Sequence, residues 1–224
     1  NKNPDDLVGD MVNNMGASIG ITALNELSVL RNGCELYLCD EEDYRKIIEV
    51  VEAIKELVNK NCSNERHYSL YGTPAESLCG TQCEQFRKRF GIVEGVSDKH
   101  YFNNSFHMPV TADISPIEKM NLEYELFHII NGGHIQYVRV DEPENKQAIK
   151  KLVKYGMKKG FYQGININCI SCEDCGEHFR KHPTVCPKCG NKNILEVGRV
   201  CGYKGFMNRM NDAKLAEIAE RKCM

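Results

Sequence analysis

Four cysteines and one glycine carry the reactive potential of this sequence. Cys172 and Cys175, then Cys186 and Cys189, form two Cys-x-x-Cys pairs separated by ten residues. Each pair runs into a glycine, Gly176 or Gly190, which lets the backbone fold back with its N–H groups facing the sulfurs. Four thiolates at this spacing suit tetrahedral Zn²⁺, with Zn–S of about 2.3 Å. A rubredoxin-type iron centre is the main rival use of the same ligands, and a redox disulfide is a third. Four sulfurs leave no open coordination position, so the metal is expected to be structural. His178 and His182 are then surface residues, and Cys169, just ahead of the first pair, has no assigned role.

Ten residues further on lies Arg199-Val200-Cys201-Gly202-Tyr203. Glycine alone carries two hydrogens on Cα and no side chain. Loss of one hydrogen lets the Cα flatten and spreads the unpaired electron over both flanking peptide groups. A Cβ would obstruct both that planarity and the abstracting group. Gly202 in a fixed loop could therefore store a radical; the plainer use of such a residue is a turn.

The elements that must position these groups follow from pattern and composition. The chain has 224 residues, 42% hydrophobic, enough for a core. A net charge of −2 with no Lys/Arg stripe gives no electrostatic case for nucleic-acid binding. No run of 18 apolar residues predicts a membrane span, and the start, NKNPDDLVGD, has no apolar signal region. Residue 1 is Asn, as expected of a processed, trimmed or partial chain. Twelve cysteines, four of them at metal spacing and the rest scattered, fit a reducing cytoplasm better than a secreted disulfide scaffold.

Helices and short strands alternate through the first 165 residues. Tyr44, Ile47, Ile48, Val51, Ile54, Leu57 and Val58 predict an amphipathic helix over 41–60, capped by Asp40. A strand over 67–71 ends at Gly72-Thr73-Pro74, and a helix is expected to begin near Ala75. Residues 101–110 read as extended, 116–130 as a helix stopped by Gly132-Gly133, 134–140 as a strand, 145–158 as a helix and 161–168 as a strand. Strand, helix, strand at this length suggests a parallel α/β crossover. Apolar periodicity stops at Cys169. A Cys/Gly/Pro-rich stretch reaches Gly190, a loop is expected to about Met210, and a short helix over 212–222. The predicted division is 1–168, 169–195 and 196–224.

Arg199–Tyr203 resembles the radical loop of the glycyl radical enzymes, and with the four cysteines before it resembles the C-terminus of the anaerobic (class III) ribonucleoside-triphosphate reductases. Three further stretches extend the likeness: Tyr71-Gly72-Thr73-Pro74-Ala75-Glu76-Ser77-Leu78, Tyr101-Phe102-Asn103-Asn104-Ser105-Phe106-His107, and Gly132-Gly133-His134-Ile135. Asn211-Asp212-Ala213-Lys214, with Glu217 and Arg221, resembles the family's closing pattern. Lys204 stands where an apolar residue is usual, Ala213 where glycine is usual, and the ending Arg221-Lys222-Cys223-Met224 is atypical. The resemblance implies the C-terminal part of a ten-stranded α/β barrel over 1–168, a zinc ribbon over 169–195, then a glycyl radical loop and terminal helix. It also places substrate phosphates at Thr73, Ala75, Glu76 and Ser77, where a helix N-terminus suits an anion.

By the same resemblance, a radical S-adenosylmethionine activase with an iron–sulfur cluster takes hydrogen from Gly202. The radical passes to a cysteine in an N-terminal part that is not in this chain, so Cys34, Cys39, Cys62, Cys79 and Cys83 are not assigned that role. The thiyl takes the ribose 3′ hydrogen of a ribonucleoside triphosphate, and water leaves from the 2′ position. Formate or a thiol system supplies the electrons, making deoxyribonucleotides for DNA synthesis. Implied partners are the substrate, the activase, the N-terminal part and a homodimer of the full assembly, with neither membrane nor nucleic acid. Adjacent residues in an extended loop are expected to point apart, so Cys201 is not expected to serve as a relay. His107 and His134 are most simply structural and stay outside the expected site. The rival readings are another glycyl radical enzyme, such as a formate-lyase or dehydratase relative, and a non-catalytic zinc-ribbon binding protein.

Overall fold

The computed structural model describes residues 15–64, 66–75, 77–140, 145–167, 169–179, 181–199, 204–222 and 224. Two parallel strand pairs and a small antiparallel sheet organise the chain. Strand β1 (Gly16–Ile21) pairs with β2 (His67–Gly72) in register Gly16↔His67 to Ile21↔Gly72. Between them run α1 (Leu24–Asn32), a 3₁₀ turn (Leu36–Leu38) and α2 (Glu41–Lys60). Helix α2 starts where Asp40 accepts the Asp43 N–H, and Glu41, Glu42 and Asp43 complement the dipole in its first turn. Its Ile47, Ile48, Val51 and Val58 are buried against Leu70, Phe106, Met108 and Leu126. Leu57, expected on that face, is 60% exposed beside Ile19.

Helix α3 (Leu78–Phe90) begins three residues later than the sequence suggested, because Ala75 accepts the Leu78 N–H in a separate turn. Helix α4 (Pro116–Ile129) opens with a capping box between Ser115 and Glu118. The second parallel pair joins β3 (Gln136–Arg139) to β4 (Gln163–Asn166) through α5 (Lys146–Lys158), the predicted crossover. Residues 101–110, expected as a strand, form buried turns instead. Side chains replace the ladder: the N–H groups of Asn103, Ser105 and Met108 donate to Glu26, Thr22 and Glu123.

Strands β5 (Cys169–Cys172), β6 (His178–Phe179), β7 (Ile194–Arg199) and β8 (Lys204–Phe206) form one sheet in the order β6-β5-β7-β8. Residues 191–210 were expected as loop, so β7 and β8 are corrections; alternating Ile194, Glu196 and Gly198 against Leu195 and Val197 suits a strand. The boundary expected at 195/196 falls inside β7. A 3₁₀ turn (Met207–Arg209) leads to the terminal helix α6 (Asp212–Glu220). No helix among the described residues is long and apolar enough to cross a membrane.

Candidate functional site

A pocket of about 340 Å³ opens where β2 ends and the buried turns, the segment before β3 and helix α6 converge. Close backbone approach builds it. Gly132 donates to the Leu70 carbonyl, and Gly72 donates to the Gly133 carbonyl. A Cβ on Gly72 would sit 2.2 Å from Ser105 Oγ and 2.6 Å from His134 Nδ1, so only glycine fits the wall.

The expected phosphate segment divides in this setting. Thr73 is buried in the pocket wall, its N–H taken by the Ile21 carbonyl. Ala75 packs with Cys79 and Tyr101 against Ala213 and Ala216 of α6. Ser77 is exposed at the start of α3 and lines no part of the pocket. Glu76 lies outside the described residues, as do Gly202 and Cys201; the strands flanking Gly202 are paired through Arg199↔Lys204.

His107 and His134, left aside by sequence reasoning, both line the pocket with ring centroids 4.5 Å apart. Behind them Glu123 is fully buried and pairs with Lys119, itself 1% exposed. Glu123 also accepts from the Met108 N–H at 2.9 Å and from Gln136 at 3.3 Å, and lies 3.4 Å from His107 Nδ1. Burial alone would raise the Glu123 pKa, but Lys119 and the two histidines hold it well below the carboxylate range. Burial lowers His107, with Lys119 adding to the effect, and pushes His134 further down, so both rings are neutral at pH 7. Donor atoms of His107, Glu123 and His134 lie within 4.8 Å of one another, the spacing of a metal site. The Lys119 ammonium already shares Glu123 Oε1, so the cluster carries its own cation. A sequence signal was present: Lys119 and Glu123 stand four apart on a helix whose other inward residues, Met120 and Leu126, are apolar.

Helix α6 forms another wall. Glu217, 3% exposed, accepts from Asn104 at 3.1 Å and Arg221 at 2.6 Å, and pairs with Lys214. The tail is strapped beyond it: Lys222 N–H donates to the Val110 carbonyl, and Arg139 donates to the Lys222 carbonyl at 2.7 Å. Three pocket-wall atoms, Asn103 Nδ2, His134 Nε2 and Asn166 Oδ1, are buried with no hydrogen-bond partner among the described residues.

The four cysteines of the expected metal site come together. Cys172 and Cys189 sulfurs are 3.6 Å apart, as are those of Cys175 and Cys186, and all four lie within 4.8 Å. These spacings are far beyond a disulfide bond of about 2.05 Å. A tetrahedral Zn²⁺ with Zn–S of about 2.3 Å spaces its sulfurs about 3.8 Å apart, so the set fits the ion. The two knuckles match: Gly176 and Gly190, at φ +72° and +77°, donate to the Cys172 and Cys186 carbonyls. Cys169 stays outside the set, its sulfur 3.9 Å from His178 Nδ1.

The family model for anaerobic ribonucleoside-triphosphate reductase matches residues 1–223. The chain belongs to that family. It is 34% identical over 233 residues to the anaerobic ribonucleoside-triphosphate reductase of Haemophilus influenzae, covering 97% of this chain and 32% of that protein. The namesake enzyme of Enterobacteria phage T4 is 36% identical over 164 residues, covering 69% of this chain and 27% of that one. The chain thus spans between about a quarter and a third of the length of these curated relatives. Its fold is similar to a solved anaerobic ribonucleotide reductase at a TM-score of 0.80, with 21% identity, over 96% of this chain and 35% of that one. A Thermotoga maritima anaerobic ribonucleotide reductase with glycerol in its active site matches at 0.72, with 20% identity, over 89% of this chain and 32% of that one. Among glycyl radical enzymes and zinc-ribbon proteins, family membership selects the ribonucleotide reductases.

Proposed function

We propose that this reductase-family chain supplies the radical glycine, a structural zinc site and part of the substrate pocket for anaerobic reduction of ribonucleoside triphosphates. The observation that carries this reading is the pocket itself. Its wall holds three buried polar atoms without partners among the described residues, and a hydroxylated, phosphorylated ligand supplies what they lack. Arg139 and Arg221 line it, as suits an anion.

In this account Thr73, in the pocket wall, meets the triphosphate, while the Asn103 amide and neutral His134 meet the nucleoside; Ala75, packed against α6, and Ser77, outside the pocket, do not touch it. Burial, with Lys119 adding to it, holds His107 and His134 neutral at the wall against the opposing pull of Glu123, so the pocket presents imidazole rather than imidazolium. Cys172, Cys175, Cys186 and Cys189 hold Zn²⁺, which would fix the two knuckles and so the β7 strand that leads to Gly202. An S-adenosylmethionine/iron–sulfur activase removes one Gly202 hydrogen, and the radical moves to a cysteine of the N-terminal part. The walls then exclude water and oxygen while the radical works. The packing of α6 against the pocket supports this role, because it ties the segment following Gly202 to the substrate site.

Oxygen tests the assignment. O₂ adds to a carbon radical, so air admitted to the activated assembly should cut the backbone at Gly202 and release the tail 203–224. Gly202→Ala should stay whole. An intact mass for the activated wild type after air exposure overturns the radical assignment.

A further inference from the structure

Six of the described cysteines lie outside the metal set, and two of them are closer to each other than the 3.6 Å of the Cys172–Cys189 and Cys175–Cys186 pairs. Cys34 Sγ and Cys39 Sγ are 3.1 Å apart. Sulfurs around Zn²⁺ stand at about 3.8 Å and a disulfide bond is about 2.05 Å, so this pair is about 1 Å short of bonding. Among the described residues no third His, Cys or carboxylate ligand atom joins them within 4.8 Å, so they do not form a metal site. Both are half-buried.

The local fold brings them together. Gly33 ends α1 in the left-handed region at φ +75°, and the 3₁₀ turn Leu36–Leu38 reverses the chain before Asp40 caps α2. Leu36, fully buried, anchors the turn, and its N–H donates to the buried Asn25 at 2.9 Å. The two sulfurs are therefore held by packed structure on both sides. The pair stands at the far end of α1, about 13 Å along the helix from the core residue Leu24, and neither cysteine lines the substrate pocket.

We propose that Cys34 and Cys39 are a thiol–disulfide site, oxidised reversibly by small-molecule disulfides. The two sulfurs have different surroundings. Ser28 Oγ lies 3.0 Å from Cys39 Sγ, and Asn32 Nδ2 points to the same sulfur from 3.9 Å. Both can donate to a Cys39 thiolate. Among the described residues Cys34 has no such donors; its hydrogen bond to Cys39, then burial and the negative Asp43 and Asp40, push it up to about 11. Cys39 is thus the attacking sulfur. Its thiolate displaces one thiolate from a disulfide RSSR and forms a mixed disulfide. Cys34 then loses its proton and attacks the Cys39 sulfur, releasing the second thiolate. The protein loses two protons and two electrons, and RSSR takes them up to become two RSH.

The sequence provides a clean readout, because no Lys or Arg falls between Arg31 and Arg45. Tryptic peptide 32–45 contains these two cysteines and no other. The full chain would be equilibrated anaerobically in reduced and oxidised glutathione at a series of ratios, alkylated and digested. Under reducing ratios the peptide should take two alkyl groups. Under oxidising ratios it should take none and be two hydrogens lighter, and dithiothreitol should reverse this. Cys34→Ser should accumulate a glutathione adduct on Cys39, while Cys39→Ser should leave Cys34 alkylatable. If the wild-type peptide keeps two alkylatable thiols at ratios that oxidise the exposed Cys62, the proposal is wrong. The titration needs neither activase nor nucleotide, so its failure would leave the reductase reading untouched.

Discussion

Replacing Glu123 with Gln isolates the electrostatics beneath the pocket. The change keeps shape and removes one charge. Lys119 is 1% exposed, and Glu123 is its carboxylate partner. Breaking a buried ion pair from one side costs about 3–5 kcal/mol, because the remaining charge stays desolvated. At about 2–4 °C per kcal/mol for a chain of this size, the melting temperature should fall by roughly 10 °C at pH 7. The sign of the pH dependence is fixed. Burial already lowers Lys119 below 10.5, and loss of Glu123, which raises it, lowers it further. The unfolded variant then binds more protons than the folded one across that interval, so its stability should climb toward wild type as pH rises to about 10. Thermal unfolding from pH 6 to 10 reads both effects. Pairing Glu123→Gln with Lys119→Met should recover most of the loss, since an apolar replacement of a buried pair is near neutral. A Glu123→Gln variant within about 1 kcal/mol of wild type at pH 7, with a flat pH profile, would refute the reasoning.

Three other perturbations address the rest of the site. Gly72→Ala should destabilise the fold by about 1–3 kcal/mol and weaken nucleotide binding, because its Cβ would meet Ser105 and His134; calorimetric titration checks the binding. Replacing Cys186 and Cys189 by serine should abolish zinc, measured by mass spectrometry of the native protein, and speed hydrogen exchange in β5 and β7 while β1 and β2 keep their protection. His107 and His134 are both lowered from 6.5, so their contribution is complete above that pH and is lost as pH falls through the folded values. Wild type should therefore lose stability on going from pH 7 to 5, and His134→Phe should lose less over the same range.

How much of this was legible in the sequence varied with the range of the interactions involved. Helix α2 was, because Asp40 caps it and its apolar spacing is local. Leu57 obeyed the same spacing yet faces a groove with Ile19 and Tyr68, which periodicity alone does not distinguish from core. The cysteine knuckles were legible because their ligands and glycines are close in sequence. Residues 101–110 were not, because the acceptors that replace a strand ladder, such as Glu26, lie 77 positions away. The histidines were missed for the same reason: what sets their protonation is burial by distant segments, with Lys119 of a different element adding to it. The convergence of α6 on the pocket, through Glu217 and Asn104, joins residues 113 apart and has no local signature.

Electron paramagnetic resonance reads radical storage at Gly202 without an intervening step. The chain would be combined anaerobically with the N-terminal part, the activase, S-adenosylmethionine and a reductant, with zinc content confirmed and the activase verified on another reductase. The account predicts a doublet from the remaining Gly202 hydrogen that collapses to a singlet in protein made with deuterated glycine and is missing from Gly202→Ala. No doublet in that sample, or the same doublet from Gly202→Ala, would contradict it.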